Sequence, residues 1–387
     1  MKKKVSILGS TGSIGKNLLS IINKDKKKFK IILLSARKNF KLLLKQANYF
    51  EVKNIIITDH QSYLKAKSIN KNNKIHIYND FNNLSRIFNT KADYTMSSII
   101  GLDGLLPTLK IIKHTKLIAI ANKEAIICGW AMIQKKLKKY KTGFLPVDSE
   151  HFSIWKIINS KKNNNIEKIF LTASGGPFLN RSISQIKNVK ISEALNHPNW
   201  KMGKKISIDS ATMMNKVFEV IETKNIFSIA YKKISILIHP KSYIHAIVKF
   251  HDGTFQFLAH EASMKIPIFN TLYMDEFKKI NSKKLNIPIL NNLKFKKINK
   301  KLFPVISILD YLPSKTSLFE TVLVVANDEL VNLFLKRKIS FYEISKNLIS
   351  FVNLKEFQKY KKINPKNIQD IHNLSNYVRL KLNSFCI

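Results

Sequence analysis

Apolar residues recur along the first 150 positions in two alternating rhythms. Short, nearly continuous runs rich in β-branched residues at 5–8, 31–35 and 55–58 are separated by longer stretches at 14–23 and 40–50, where apolar positions recur every three or four residues. A continuous short run fits a strand buried on both faces, and the longer rhythm fits a helix with one face on a core. The alternation predicts βαβ units and a parallel sheet, so the fold class is α/β with a Rossmann-like N-terminal domain. Two further runs, 116–121 and 144–147, lead into the polar clusters Asn122-Lys123-Glu124 and Asp148-Ser149-Glu150. Open α/β sheets collect ligands beyond the carboxyl ends of their strands, which is where both clusters would fall.

After residue 150 the rhythm changes. Strand-like runs at 168–172, 234–239, 246–250 and 254–258 predict a central α+β domain over 151–286, with a hairpin turn at Asp252-Gly253. Pro288 and a run of Asn and Lys predict an exposed linker over 287–302. Helical periodicity at 304–312, 317–338, 340–352 and 365–383 predicts a C-terminal bundle over 303–387, with Pro365 in a first turn. This bundle would brace the molecule and carry little chemistry. No repeat with a period of roughly 20–50 residues is present, which sets solenoids and propellers aside.

Length and composition narrow the class. The 387 residues, 45% hydrophobic and 24% charged, suffice for several cores. Two cysteines, Cys128 and Cys386, cannot make a disulfide framework and fit a reducing cytoplasm. The basic start Met1-Lys2-Lys3-Lys4 is followed by too short an apolar run for a signal peptide, and no stretch is long enough to span a membrane. The net charge of +42 would attract polyanions, so a non-enzymatic polyanion-binding protein is the alternative of another class. Yet the lysines are spread among Asn and Ile, all residues of A/T-rich codons, and no zinc-finger or RNP-type motif or Arg-rich run accompanies them. No specific nucleic-acid partner and no membrane partner is therefore expected.

The candidate chemistry begins at Gly9-Ser10-Thr11-Gly12-Ser13-Ile14-Gly15, which follows a buried-type strand and opens an amphipathic helix. Glycines there let a backbone approach a pyrophosphate, and a helix start offers free N–H groups and a positive dipole. The next strand ends at Ser35-Ala36, and Arg37, Lys38 and Asn39 follow it, where an NAD site usually places an acid against the ribose hydroxyl. Cations at that point would suit a 2′-phosphate, so NADPH is preferred to NADH.

In a chain with only 25 acids, Asp148 and Glu150 stand out, because i and i+2 of an extended segment point to one side. Such a pair calls for a cation, and carboxylate oxygens suit Mg²⁺ or Mn²⁺. Glu219 offers a third carboxylate, with Asn215 and Lys216 on its own helix face. Ser174-Gly175-Gly176-Pro177 reads as a backbone nest for an anion. Asp209-Ser210-Ala211-Thr212 reads as an N-cap ahead of a helix at Met213 and, with Asn215 and Lys216, as a phosphate clamp. His197-Pro198-Asn199-Trp200 lies between nest and clamp and reads as a lid or a Trp-anchored loop.

Taken in order, these segments, together with Leu145-Pro146-Val147 and His151, closely resemble the 1-deoxy-D-xylulose 5-phosphate reductoisomerase family from about residue 3 to 270. The resemblance implies that a sugar phosphate is rearranged to a branched aldehyde and reduced by NADPH to 2-C-methyl-D-erythritol 4-phosphate, an early step toward isoprenoid precursors. It implies a divalent metal (Mg²⁺ or Mn²⁺) on Asp148, Glu150 and Glu219, and Lys123, Ser149, Glu150, Ser174, His197, Ser210, Asn215, Lys216 and Glu219 around the substrate, with Lys123 as a charge partner near the metal. The NADPH-contacting positions would be Thr11, Gly12, Ser13, Ile14, Lys38, Asn39, Asn122, Glu124 and Gly203, and a homodimer is implied.

Three places depart from the family. Arg37 stands where Gly is usual, Asp103 where small residues are usual, and Val324-Val325-Ala326-Asn327-Asp328 where the family has Asn-Ala-Ala-Asn-Glu. Another NADP-dependent oxidoreductase of the aldehyde dehydrogenase type would need a nucleophilic cysteine, and neither Cys128 nor Cys386 is well placed.

Overall fold

The computed structural model describes residues 1–70, 74–159, 165–274 and 276–385, so Cys386 lies outside the described residues. The chain forms two compact units: Met1–Ala125, Ala131–Phe152 and Met264–Asn281 in the first, Ile126–Trp130, Ser153–Ser263 and Ser282–Ile387 in the second.

The first unit is built on a seven-stranded sheet with the order β4-β3-β2-β1-β5-β6-β7. Its strands are β1 Lys3–Leu8, β2 Phe29–Ala36, β3 Asn54–Ile57, β4 His76–Tyr78, β5 Ala92–Ser97, β6 Thr115–Ile120 and β7 Gly143–Pro146. Every pairing is parallel. Val5, Ile7, Leu8 and Ile55 through Ile57 are fully buried, as strands covered on both faces require. In the helix Ser13–Asn23 the apolar stripe Leu18, Leu19, Ile21 and Ile22 is buried. Strand order reverses between β1 and β5, which creates the crevice where such sheets hold a nucleotide.

One segment of the region assigned from sequence to the central domain belongs here. The helix Lys265–Leu272 is tied to this unit: the Lys3 ammonium donates to the Leu272 carbonyl at 2.6 Å, and the Tyr94 hydroxyl meets that of Thr271 at 3.0 Å. The aromatic rings of Phe29 and Tyr273 meet edge-on with centroids 5.5 Å apart. Anchors so distant in sequence leave no local periodicity to read.

The second unit holds a five-stranded sheet in the order β11-β10-β8-β9-β12: β8 Ile166–Ala173, β9 Ile234–Ile238, β10 Ile244–Phe250, β11 Phe255–Ala259 and β12 Lys296–Lys297. Only β8 and β9 pair in parallel. Gly253, at φ +82°, turns β10 into β11 as its Asp-Gly sequence predicts. Ile154, Ile169, Leu171, Val220, Ala246, Val248 and Phe250 form the core.

The expected linker is part of this fold. It contains the short helix Ile287–Asn291, capped by the Asn286 side chain, and β12, whose backbone pairs with Leu237 and Ile238 of β9. Backbone pairing needs no apolar alternation, so a Lys-Lys strand leaves no signal in the sequence.

The C-terminal helices are Phe319–Leu335, Phe341–Val352 and Ile368–Phe385, the first buried along most of its length. Two details differ from expectation: Pro304–Tyr311 is a 3₁₀ helix, and the last helix starts beyond Pro365, at Ile368. Asn367 starts that helix by accepting from the backbone of Gln369 at 2.8 Å and Asp370 at 3.1 Å, an Asx cap that overrides the proline. No helix among the described residues is long and apolar enough to cross a membrane.

Candidate active site

The glycine turn sits at the carboxyl end of β1. Gly9 adopts φ +84°, and its carbonyl accepts from Gly12 at 3.1 Å. A Cβ on Gly15 would lie 2.5 Å from the Cα of Ser10, so only glycine lets the helix start this close to the turn. Ser10 is fully buried and exchanges hydrogen bonds with Gln46: its hydroxyl donates to Oε1 at 2.8 Å, and Nε2 donates to its carbonyl at 3.1 Å. The helix Ser13–Asn23 begins after Gly12 with no side-chain cap. Its first N–H groups, at Ser13 and Ile14 beside Thr11, are thus left for a ligand, the requirement for binding a pyrophosphate.

At the end of β2, Arg37, Lys38 and Asn39 are all exposed. Asn39 caps the helix Phe40–Tyr49 by accepting from Leu42 at 3.3 Å. Arg37 reaches Asp103 at 3.0 Å. Asn122, at the end of β6, is committed to the scaffold: its Oδ1 caps Ala125 at 2.5 Å, and its Nδ2 donates to the Gly101 carbonyl at 2.7 Å. Glu124 is buried in the first turn of the helix Lys123–Tyr140 that Asn122 caps.

Lys123 and Asp148 follow adjacent strands, β6 and β7, and meet with Nζ 2.9 Å from Oδ2. Burial works to raise the Asp148 pKa, but the Lys123 charge and His151 outweigh it and hold the carboxyl well below its usual range. The extended Asp148-Ser149-Glu150 reading is corrected here. β7 ends at Pro146, and Ser149 already opens the helix Ser149–Asn159. Asp148 acts as its cap, the Phe152 N–H bonding to its backbone carbonyl at 2.8 Å. Glu150 lies in the first turn, its carboxylate accepting from the Ser149 hydroxyl at 2.5 Å. An Asp-Ser-Glu sequence favours a helix start both as a cap and through the dipole, which outweighs the β-like run before it.

In the second unit, at the segment expected to form a nest, Gly175 and Gly176 adopt φ +84° and +66°, a conformation that favours glycine. A Cβ on Gly176 would lie 2.9 Å from the Ser210 carbonyl, so nest and Ser210 are packed together. His197 Nδ1 accepts two backbone N–H groups, Asn199 at 3.1 Å and Trp200 at 3.0 Å, which leaves its proton on Nε2. Nε2 donates to the Ser174 hydroxyl oxygen at 3.0 Å, and the Gly176 N–H donates to the same oxygen at 3.0 Å. Ser174 is therefore directed to donate its own hydrogen outward. Burial lowers the His197 pKa to about 4, so the ring is neutral at pH 7. Asn199 ties the loop to the Pro240 carbonyl at 2.6 Å and to Ser242 at 2.9 Å, and Trp200 packs edge-on to His245 at 6.0 Å.

The expected N-cap at residues 209–212 is corrected. These residues end the helix Lys204–Thr212, which starts after Gly203, and a left-handed Met213 at φ +67° separates it from the helix Met214–Phe227. Nothing in the residue type predicts positive φ at a methionine. Asp209 is instead an internal anchor, bonded to Lys205 at 2.7 Å and to Asn327 at 2.8 Å. Asn215 and Lys216 do open the second helix. Both bind the Glu219 carboxylate, and Lys216 also donates to the Thr172 carbonyl at 2.6 Å.

Sequence reasoning assigned no role to His151, whose Nδ1 lies 3.5 Å from Asp148 Oδ1, or to Lys205 and Asn327, the two partners of Asp209. The i,i+3 spacing of Asp148 and His151 across a helix start was the available signal. Nothing local announces Asn327.

Fold and site together define a dinucleotide-binding α/β oxidoreductase. Family models for 1-deoxy-D-xylulose 5-phosphate reductoisomerase match residues 5–129, for its C-terminal domain residues 144–227, and for the DXP reductoisomerase C-terminal domain residues 260–381. The chain is 57% identical over 387 residues to the 1-deoxy-D-xylulose 5-phosphate reductoisomerase of Pelagibacter ubique, covering 100% of both. It is 40% identical over 368 residues to that of Wolbachia pipientis from Culex pipiens, covering 94% of this chain and 92% of the relative. Among solved structures, the Zymomonas mobilis reductoisomerase in complex with NADPH has a TM-score of 0.89 at 30% identity, over 100% of this chain and 99% of that one. A DOX-P reductoisomerase in complex with NADPH, fosmidomycin and magnesium has a TM-score of 0.92 at 30% identity, over 99% and 98%. The chain belongs to the 1-deoxy-D-xylulose 5-phosphate reductoisomerase family.

Proposed function

We infer that this chain converts 1-deoxy-D-xylulose 5-phosphate to 2-C-methyl-D-erythritol 4-phosphate with NADPH and a divalent ion, Mg²⁺ or Mn²⁺. The observation that carries the reading is chemical. In a sequence 57% identical to a reductoisomerase throughout, Asp148 and Glu219 are each held by a lysine, Lys123 and Lys216. Buried carboxylates that need a cation's charge are a donor set suited to a hard, oxygen-loving ion, which would take over from the lysines at Asp148 and Glu219, with Glu150 as the third donor. The ion would polarise the substrate carbonyl, and NADPH would supply the hydride.

The chain's own residues bind and orient. Ser174, its hydrogen directed by His197 and Gly176, donates to the phosphate end together with Ser210, Asn215 and Lys216. Once an ion neutralises Glu219, the donors of Asn215 and Lys216 become available to that phosphate. Lys123 keeps positive charge beside Asp148, and Ser149 contacts the substrate. Remote binding through the phosphate then fixes the reacting carbons. On the cofactor side, Thr11, Gly12, Ser13 and Ile14 cradle the pyrophosphate and Arg37, Lys38 and Asn39 take the 2′-phosphate, with Asn122, Glu124 and Gly203 completing the set. In this division the seven-stranded sheet serves the nucleotide, the five-stranded sheet and its helices serve the substrate's phosphate, and residues 303–387 brace the fold.

The enzyme acts in the cytoplasm, a reading supported by a chain with only two cysteines, Cys128 and Cys386, which fits a reducing compartment. It works as a homodimer. The family likeness supports this, as does β11, an edge strand whose Phe255 and Phe257 are 57% and 51% exposed. Nothing favours the polyanion-binding alternative. The test is absorbance at the nicotinamide band with the sugar phosphate: chelator-sensitive NADPH consumption is expected, and consumption indifferent to chelator rejects the metal assignment.

A further inference from the structure

Arg37, one of the residues read as taking the 2′-phosphate, and Asp103, which has no part in that reading, close an ion pair at 3.0 Å across the nucleotide crevice. Arg37 follows β2, and Asp103 lies in the 3₁₀ turn Leu102–Gly104 after β5. β1 runs between those strands, so the pair crosses its carboxyl end. Neighbouring strands are about 4.8 Å apart, a gap that an arginine spanning two of them bridges. Both loops are fixed to the glycine turn beneath. Ser10 N–H donates to the Ser35 carbonyl at 2.9 Å, and the Ser98 hydroxyl donates to the Leu8 carbonyl at 2.7 Å. The pair thus stands over the turn with the uncapped helix start, which we have read as the pyrophosphate site.

The Arg37 and Asp103 side chains are 68% and 64% exposed, and ion pairs that wet contribute little to stability. This one does not hold the fold. Its consequence is competition: a guanidinium bound to a carboxylate is the same group that a ribose 2′-phosphate would engage, and a phosphate offers more charge and a bidentate match.

We propose that Asp103 is an internal competitor for Arg37, a latch that the 2′-phosphate of NADPH displaces on binding and that closes again as NADP⁺ leaves. Asp103 thereby weakens binding of the phosphorylated coenzyme and has no effect on NADH, which lacks that phosphate. The inference rests on the NADPH reading above and deepens it.

The test is direct titration of the full-length protein with NADPH and with NADH, followed by coenzyme fluorescence at low and moderate salt. Asp103→Asn should tighten NADPH about two- to fivefold, the span of an exposed ion pair, and leave NADH unchanged. Asp103→Glu should restore the wild-type constant. In an Arg37→Ala background, Asp103→Asn should have no effect on NADPH. An equal change for both coenzymes, a looser NADPH constant, or an effect persisting without Arg37 overturns the latch. Unchanged NADPH binding in Asp103→Asn overturns the latch alone, whereas a wild-type chain that binds neither coenzyme overturns the NADPH reading and the latch with it.

Discussion

Lys123 and Asp148 stand on the ends of neighbouring strands with Nζ 2.9 Å from Oδ2, a largely buried pair in which each charge makes the other tolerable. Removing the lysine leaves a carboxylate with its desolvation cost and less compensation. Lys123→Met should lower stability in metal-free buffer by about 3 kcal/mol, read from urea unfolding at neutral pH. Millimolar Mg²⁺ should recover part of the loss, because one cation replaces another. A loss under about 0.5 kcal/mol would show that the pair has no structural weight.

Glu219 is the expected ligand contributed by the helix Met214–Phe227, and Asn215 and Lys216 already grip it. Glu219→Gln keeps the shape and an acceptor for Lys216 but removes the charge. Turnover should fall by about two orders of magnitude or more, while NADPH binding stays within about twofold. Normal metal-dependent turnover in this variant would refute the ligand assignment.

His197 sets a pH dependence. Its folded pKa, about 4, lies below the ordinary 6.5, so the ring is neutral in the native state. Above pH 6.5 neither state binds the proton and its contribution is fully present. As pH falls from 6.5 toward 4 the unfolded chain takes up a proton that the native chain refuses, and stability drops by up to about 3 kcal/mol. His197→Gln should flatten that part of the acid branch in unfolding measured between pH 7 and pH 4.5. An identical slope in wild type and variant would place the effect elsewhere.

The exposed phenylalanines of β11 give the dimer a test. Phe255→Lys combined with Phe257→Lys should shift sedimentation from dimer toward monomer, since charge on an edge strand opposes pairing. A wild-type monomer, or a dimer unaffected by both changes, would exclude this edge as the contact.

Much of the architecture was legible because it is written in local periodicity. The runs at 5–8, 31–35 and 55–58 are strands, and the glycine turn between the first strand and helix stands where its spacing put it. β5 was not legible. Its sequence Ala92–Ser97 reads as polar, yet Thr95 and Ser97 are fully buried in the sheet, Ser97 pairing with Thr108 at 2.7 Å. A strand that buries hydroxyl side chains among its apolar ones gives no alternation to follow. The geometry at 148–150 was misread, because the same Asp-Ser-Glu that suits a cation also starts a helix. The left-handed break at Met213 and the clasp of Asn327 on Asp209 depend on tertiary packing alone.

Asn122 reaches into the loop that carries Gly104, and a methyl group on that glycine would meet the Asn122 amide nitrogen at 2.3 Å. This chain is crowded with Lys, Asn and Ile, the products of A/T-rich codons, and keeps only 11 glycines, whose codons begin with two guanines. Mutational pressure of that kind erodes glycine wherever a side chain can be accommodated. At Gly104 and Gly15 a side chain would run into backbone, so the shape of the nucleotide crevice requires glycine there whatever the codon bias of the rest of the chain.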